Sequence, residues 1–417
     1  MNKKRIVMTT LLLISLVPCL NAQKKEMAQA RAFIKSGKSL DKAETMMRKL
    51  LNDSSNQSNL KIHLTLCDAL RKQYEVENEK MYLKQKVDTV AMFGILRRLF
   101  VACQTLDSLE IGLLTSHPSP LTPENTSHTS HPSPPTPKNP KYRDRHAAYL
   151  DTYRKNLRSA ASFFMRQQKY REAFDFNHLY IDCMNQPLFA SYHYPDSPIA
   201  AYWALFSGYK LGDYDMTMKY ADMAMKDSIH LEYTLQYLAE TYQKQDNMSL
   251  YEKTLTDGFN SFGESPYFFS KLMDFYNRRN RPELAMQVVE RALEKNDTSE
   301  LFLFAKSTQL LNMGDYQPCI AICDTLISRN PTMADAHYNA GVAYLNLAFE
   351  TEKDTKLKPA KKREQLRSYY SAARPYMERY RELRREEKEK WAAALYNIYL
   401  NLNMGKEFLE IDRLLRE

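Results

Sequence analysis

The chain has 417 residues, 59 Lys+Arg against 50 Asp+Glu, 44% hydrophobic and 26% charged residues, and only 10 glycines. Globular chains usually carry about 7% glycine, so phosphate cradles, dinucleotide turns and tight β-hairpins are disfavoured, and nucleotide enzymes with them. The length admits roughly two or three conventional domains or one long solenoid, and 28 Tyr with 20 Met point to helices packed on helices.

In chain order, Lys3, Lys4 and Arg5 precede an apolar run from Ile6 to Leu20 that is short and marked by Pro18. With small Ala22 behind it, this reads as a signal peptide over 1–22, cleaved before Gln23. A rival reading makes Cys19 a lipid anchor, but Pro18 stands where a lipidation motif usually has Gly or Ala, so soluble export is preferred. Cleavage removes Lys3, Lys4 and Arg5 and lowers the net charge from +9 to +6. No later stretch reaches about 18 uninterrupted apolar residues, so no transmembrane segment is expected. Residues 23–115 read as all-helical, with Gly37 at a turn and then Ala43, Met47 and Leu50. Ser36-Gly37-Lys38-Ser39 holds a GKS triplet, but Ala32 stands where a P-loop needs its first glycine. Residues 116–140 hold 8 of the 18 prolines and carry a tandem copy, Thr115–Pro120 recurring as Thr129–Pro134. This segment reads as an extended solvated loop. His117, His128 and His131 within it offer only weak metal ligation.

From there the chain counts in thirty-fours. Gly212, Asp246, Asn280 and Gly314 stand 34 residues apart, each in a polar turn between helical patterns. Four residues before each marker stand Gly208, Tyr242, Tyr276 and Leu310, with Tyr344 next in phase. Five after stand Thr217, Tyr251, Ala285 and Cys319, and twelve after stand Ala224, Gly258, Ala292 and Leu326. Small residues in these columns let antiparallel helices approach closely. Repeats are expected near 154–187, 198–231, 232–265, 266–299 and 300–333. One near 334–385 carries an insertion at 350–366, and a terminal pair near 391–417 has Gly405 at its turn. Ten extra residues fall near Gln186–Pro198.

This pattern, clearest from Asn312-Met313-Gly314-Asp315-Tyr316 through Asn330-Pro331, resembles the tetratricopeptide repeat (TPR) family. Together with the export signal it looks like exported TPR proteins of the Gram-negative bacterial envelope. The resemblance covers roughly 150–417 well, within a solenoid expected over 141–417, and the N-terminal part at 23–115 poorly. It implies an all-α, TPR-type α-solenoid of antiparallel helix pairs forming a right-handed superhelix, with an all-helical N-terminal part. It also implies a concave wall built from the first helix of each repeat. Its residues would include Tyr202, Phe206, Tyr209, Tyr233, Gln236, Gln243, Tyr267, Asp274, Asn277 and Tyr338. Tyrosine offers a large contact area at low entropic cost, which suits a peptide ligand.

Residues 356–390 hold 13 Lys+Arg against 6 Asp+Glu and form a basic patch at Lys361, Lys362, Arg363, Arg384 and Arg385. A solvated helix pair with opposite charges along its faces is preferred over a lipid or nucleic-acid surface. Cys67, Cys103, Cys183, Cys319 and Cys323 read as small buried thiols. No zinc-type spacing occurs, and no metal or cofactor is expected. The motifs GxGxxG, GxSxG and HExxH do not occur, and His178 and His337 have no obvious nucleophile partner. The sequence thus points to a non-enzymatic exported scaffold, in the periplasm or on the outer membrane, binding a protein or peptide of the envelope and no nucleic acid. A glycan-binding or nutrient-uptake component and a regulatory subunit of an envelope enzyme complex are the alternatives.

Overall fold

The computed structural model describes residues 23–116 and 139–416. The expected signal peptide with Cys19, and most of the proline-rich segment with His117, His128 and His131, lie outside the described residues. Among the described residues every regular element is helical, in two compact units that divide between Tyr237 and Leu238.

The first unit runs through α1 (23–36), α2 (Leu40–Leu51), α3 (Leu60–Tyr82), α4 (Thr89–Ser116), α5 (Arg143–Arg166) and α6 (Tyr170–Asp182). Next come α7 (Ser197–Leu211) and the short α8 (Tyr214–Met218) and α9 (Ala221–Ala224), then the start of α10 (Leu231–Lys244). Successive helices pack on each other, α2 on α3, α3 on α4, α5 on α6 and α6 on α7. Aromatic rings fill the seams. Phe164 stacks on Phe176 at 5.5 Å, and Phe93 meets Phe163 edge-on at 5.6 Å. The extra residues near 186–198 form two 3₁₀ turns, Cys183–Asn185 and Pro187–Phe189, which bury Cys183, Leu188 and Phe189.

Charged side chains also enter this core. Glu44 of α2 accepts hydrogen bonds from Arg98 Nε (2.8 Å), Arg48 Nε (2.9 Å) and Gln73 Nε2 (3.0 Å). Asp107 of α4 takes a bidentate pair from Arg143 at 2.9 Å for both contacts, and Glu110 Oε2 accepts from the Tyr142 N–H at 3.2 Å. These bonds fasten the end of α4 to the start of α5. They close the chain across the proline-rich segment, where no hydrophobic run could do so.

The helix α4 bears on the expectation of no transmembrane segment. With 28 residues it is long and apolar enough to cross a membrane by length and composition. One face, from Met92 and Leu96 to Phe100, Cys103 and Leu106, is buried within the first unit, while Arg97, Arg98, Asp107 and Glu110 have polar partners. Arg97, Arg98, Asp107 and Glu110 interrupt its apolar residues, so no uninterrupted apolar run spans its length.

The second unit begins within α10. It continues as α11 (Met248–Ser261), α12 (Pro266–Arg278), α13 (Pro282–Lys295), α14 (Glu300–Met313), α15 (Tyr316–Arg329), α16 (Ala334–Lys353), α17 (Pro359–Leu383), α18 (Lys388–Asn401) and α19 (Gly405–Arg416). The inserted residues near 350–366 lengthen α16 and α17 rather than forming a loop. Proline opens α12, α13 and α17, where its missing N–H costs no helical bond. Asn247 caps α11 by accepting the Leu250 N–H at 3.2 Å.

One backbone device recurs in both units. The markers Gly212, Asp246, Asn280 and Gly314 all have positive φ, at 67°, 55°, 52° and 86°. In each case the next residue's N–H returns to the carbonyl four before the marker. These bonds run Asp213 to Gly208 (3.0 Å), Asn247 to Tyr242 (2.9 Å), Arg281 to Tyr276 (3.0 Å) and Asp315 to Leu310 (2.9 Å). This is the Schellman closure, in which a left-handed residue reverses the chain and satisfies a terminal carbonyl. Gln168 (φ 58°) and Asn403 (φ 57°) do the same, through Lys169 to Phe164 and Met404 to Tyr399. Asn403 therefore corrects the expected turn residue of the last pair. Gly405 is the first residue of α19, and the reversal sits two residues earlier.

Close approach between helices explains three other glycines. A Cβ on Gly208 would strike the backbone of Met216–Thr217, one on Gly258 the Phe268 ring, and one on Gly341 the Met377 side chain. Each glycine lies on a helix that packs against the helix holding the struck residue.

Candidate interaction surfaces

In the first unit, α7 presents an aromatic row. Tyr209 lies 4.6 Å from Tyr237 and Phe206 lies 5.3 Å from it, while Trp203 meets Phe206 edge-on at 5.8 Å. Trp203, Phe206, Tyr209 and Tyr237 are half-buried, and Tyr233 stands out at 52% exposure. The row arises because Trp203 and Phe206, and Phe206 and Tyr209, are neighbours at three-residue spacing on α7, with Tyr237 of α10 packed against Phe206 and Tyr209. Lys210 reaches over it, with Nζ 5.3 Å from the Phe206 centroid.

Tyr202 departs from the wall reading. It is only 5% exposed, and its ring stacks on His230 at 4.2 Å and 14°. His230 Nδ1 in turn lies 2.6 Å from Oδ2 of buried Asp227. Burial raises the Tyr202 phenol above its ordinary pKa, with Tyr237 reinforcing the shift. The ring is consumed by the α7–α10 seam and supports the row from behind.

The row runs at Trp203 into a pocket of about 260 Å³ between α5, α6 and α7, lined by Arg158, Ser162, Met165, Arg166 and Asn177. Arg158 Nη1 is paired with Asp196 Oδ2 at 2.5 Å, and Arg166 Nη1 donates to Ser162 Oγ at 3.2 Å. Buried Asn177 donates from Nδ2 to the Ala173 carbonyl at 3.1 Å. The pocket combines an indole face, two guanidinium groups and an amide. Sequence reading missed Arg158, Arg166 and Asn177. The available signal was the four-residue spacing of Arg158, Ser162 and Arg166 along one face of α5.

The remaining expected residues are spread along their helices. Gln236 is half-buried, and its Nε2 lies 3.4 Å from Glu232 Oε1. In the second unit, exposed Gln243 and Asp274 meet in a pocket of about 380 Å³ with Met248, Tyr251, Lys271, Phe275, Arg278 and Arg279. Arg279 caps the Phe275 ring at 4.0 Å. Tyr267 donates to Glu240 Oε1 at 3.4 Å, and Asn277 Oδ1 accepts from Gln309 Nε2 at 3.1 Å. Tyr338 packs on Tyr380 at 5.0 Å. Of the expected wall residues, Gln243 and Asp274 are thus brought into one pocket.

The basic segment divides. Arg384 lies 3.7 Å from Glu387, and Lys362 donates to the Asp354 carbonyl at 3.0 Å. Arg379–Glu382 (2.7 Å) and Arg374–Glu378 (3.8 Å) pair along α17. Lys361, Arg363 and Arg385 are exposed and have no ion pair among the described residues.

No family model and no curated protein matches this sequence. Among solved structures, the C-terminal part of a TPR repeat-containing protein from Cytophaga hutchinsonii is 14% identical. It covers 61% of this chain and 94% of its own, at a TM-score of 0.39. A TPR repeats protein from Bacteroides fragilis is 15% identical, covering 63% and 98%, at 0.31. YrrB, described as a TPR protein with an unusual peptide-binding site, is 16% identical, covering 47% and 91%, at 0.34. At that level none of them bears on what this chain binds. What decides the repeat type is internal, namely the 34-residue spacing of left-handed residues, each closing a first helix onto a second. The helix pairs are TPR-like hairpins. In such hairpins α7, α10, α12, α14 and α16 are first helices, and the aromatic row is built from α7 with Tyr237 of α10.

Proposed function

We propose that the protein is a non-enzymatic, exported TPR scaffold that holds a peptide segment of an envelope protein on the α7 aromatic row. The observation that carries this is the half-buried row Trp203, Phe206, Tyr209 and Tyr237, ending in the Arg158–Asn177 pocket. Rings already held by neighbours lose little entropy on binding, which is the character of interface anchors. The guanidinium groups suit an acidic side chain beside the apolar ones.

A displayed peptide library panned on the full chain tests this. Enriched peptides should combine an apolar or aromatic residue with a carboxylate, and a Tyr209→Ala/Tyr233→Ala change should weaken them by about tenfold or more, the scale of one hot-spot residue. No enrichment, or binding indifferent to that change, sinks the peptide reading. The half-buried indole of Trp203 at the pocket favours one second reading, a glycan stacked on that ring. Saturable glycan-array binding lost on Trp203→Ala, without peptide enrichment, would select it. Export is tested by intact mass from the native host. A Gln23 start supports soluble export, and a lipid on Cys19 replaces it with an anchored form.

A further inference from the structure

Three chemically soft groups that lie far apart in sequence meet inside the first unit. Cys67 is on α3, Cys103 on α4 and His146 in the first turn of α5. Their ligand atoms all lie within 4.8 Å of one another, and the residues are 2%, 2% and 6% exposed. No aromatic-row residue is involved, so the cluster is independent of peptide binding on α7.

We propose that Cys67, Cys103 and His146 form a binding site for one thiophilic cation, Zn²⁺ or Cu⁺, which clamps α3, α4 and α5 together. Ligands about 2.0–2.3 Å from a common ion stand roughly 3.5–4 Å apart, so the observed spread needs contraction of about an ångström at most. Such a shift is within reach of side-chain rotation. The donor set decides the class of ion, because two sulfurs and an imidazole favour Zn²⁺ or Cu⁺ over oxygen-seeking Mg²⁺ and Ca²⁺. On binding, each thiol releases its proton to buffer, two S–metal bonds and one N–metal bond form, and no group changes oxidation state. Zn²⁺ with two thiolates makes a neutral assembly, which limits the cost of burying it. Cu⁺ leaves one negative charge and suits a three-ligand site.

The site sits where the fold needs a fastener. Residues 117–142 separate α4 from α5 in sequence, and the Asp107–Arg143 pair already ties the same two helices nearby. A cation bound to folded ligands alone stabilises the folded chain by mass action.

The test uses the full chain, reduced and stripped with chelator. Co²⁺ serves as the spectroscopic probe for the Zn²⁺ arm, and anaerobic Cu⁺ titration forms the other. The expected result is one equivalent bound, a thiolate-to-metal charge-transfer band, and a rise in Tm with the bound ion. Cys67→Ser and Cys103→Ser should each abolish tight binding, and His146→Gln should weaken it at least tenfold, while Cys319→Ser/Cys323→Ser should leave it unchanged. If the α3 or α4 variants fail to fold, the wild-type titration and His146→Gln decide. The absence of a charge-transfer band in both arms overturns the site. So does binding unaffected by His146→Gln, or a Cys67–Cys103 disulfide in protein isolated without reductant.

Discussion

The two units hold helices together by different means. The first unit buries four carboxylates: Glu44, Asp107 and Glu110, each met by a donor or cation from a distant part of the unit, and Asp227, met locally by His230. Among the described residues, the second unit buries none. Its seams instead close on small residues, with Gly258 under Phe268, Gly341 against Met377, and Ala285, Ala292, Ala336, Ala340 and Ala343 fully buried. Where the repeat register is regular, backbone geometry brings helices close enough for dispersion contacts to suffice. Where it lapses, between α2 and α5, specific polar bonds fix the helix positions.

The largest expected effect tests the polar half of that contrast. Asp107→Ala leaves the Arg143 guanidinium without its bidentate partner and should cost about 3 kcal/mol, the scale of a half-broken buried pair. Urea unfolding should show the loss, and hydrogen exchange should place it in α4 and α5, with the second unit protected as before. Uniform loss of protection would mean the contrast is not local.

Gly258→Ala probes the other half. The new methyl would meet the Phe268 ring, at 2.6 Å from Cζ, and should cost about 1–3 kcal/mol. Gly341→Ala should cost less, because Met377, 2.8 Å away at Cγ, is flexible and can swing aside. Equal effects would show that the seams are not sorted by the stiffness of the opposing side chain.

Acid separates the units as well. Burial alone would raise the Glu44 carboxyl, but hydrogen bonds from Arg98, Arg48 and Gln73 outweigh it and hold it below the ordinary range. Its folded pKa is depressed, so its stabilisation is present above the unfolded value of about 4.3 and lost as pH falls through the folded one. Glu44→Gln should flatten this part of the acid response, by about 1 kcal/mol, with Arg48, Arg98 and Gln73 as the facing groups. An unchanged pH–stability curve would remove Glu44 from the account.

The smallest effects concern the turns common to both units. Gln168→Gly and Asn280→Gly relieve a left-handed residue and should stabilise by about 0.5–1 kcal/mol, glutamine gaining more than asparagine. Thermal unfolding that ranks them in reverse would mean the side chains at these turns make compensating contacts.

Helix hairpins and their turns were legible in the sequence because they are local. The columns around Gly212, Asp246, Asn280 and Gly314 carry the backbone conformation itself, and the hydrogen bond that closes each turn spans only five residues. The last turn was misplaced by two residues because asparagine takes the left-handed conformation as Asn403 does, leaving Gly405 to begin a helix. The interaction surface was half legible. Phe206 and Tyr209 follow from helical spacing, but whether a given tyrosine faces outward or into a seam depends on the helix that covers it, and α10 covers Tyr202. The pocket at Trp203 needs Arg158 from α5 and Asn177 from α6, brought together by packing alone.

The sequence by itself determined an all-helical chain of 34-residue hairpins, because periodicity and turn chemistry act over a few residues. Tertiary structure alone decided which rings are buried, how Asp107 meets Arg143, and that Cys67, Cys103 and His146 converge. Those contacts join residues 36 to 79 positions apart on different helices, and no short-range pattern records which faces of two helices will meet.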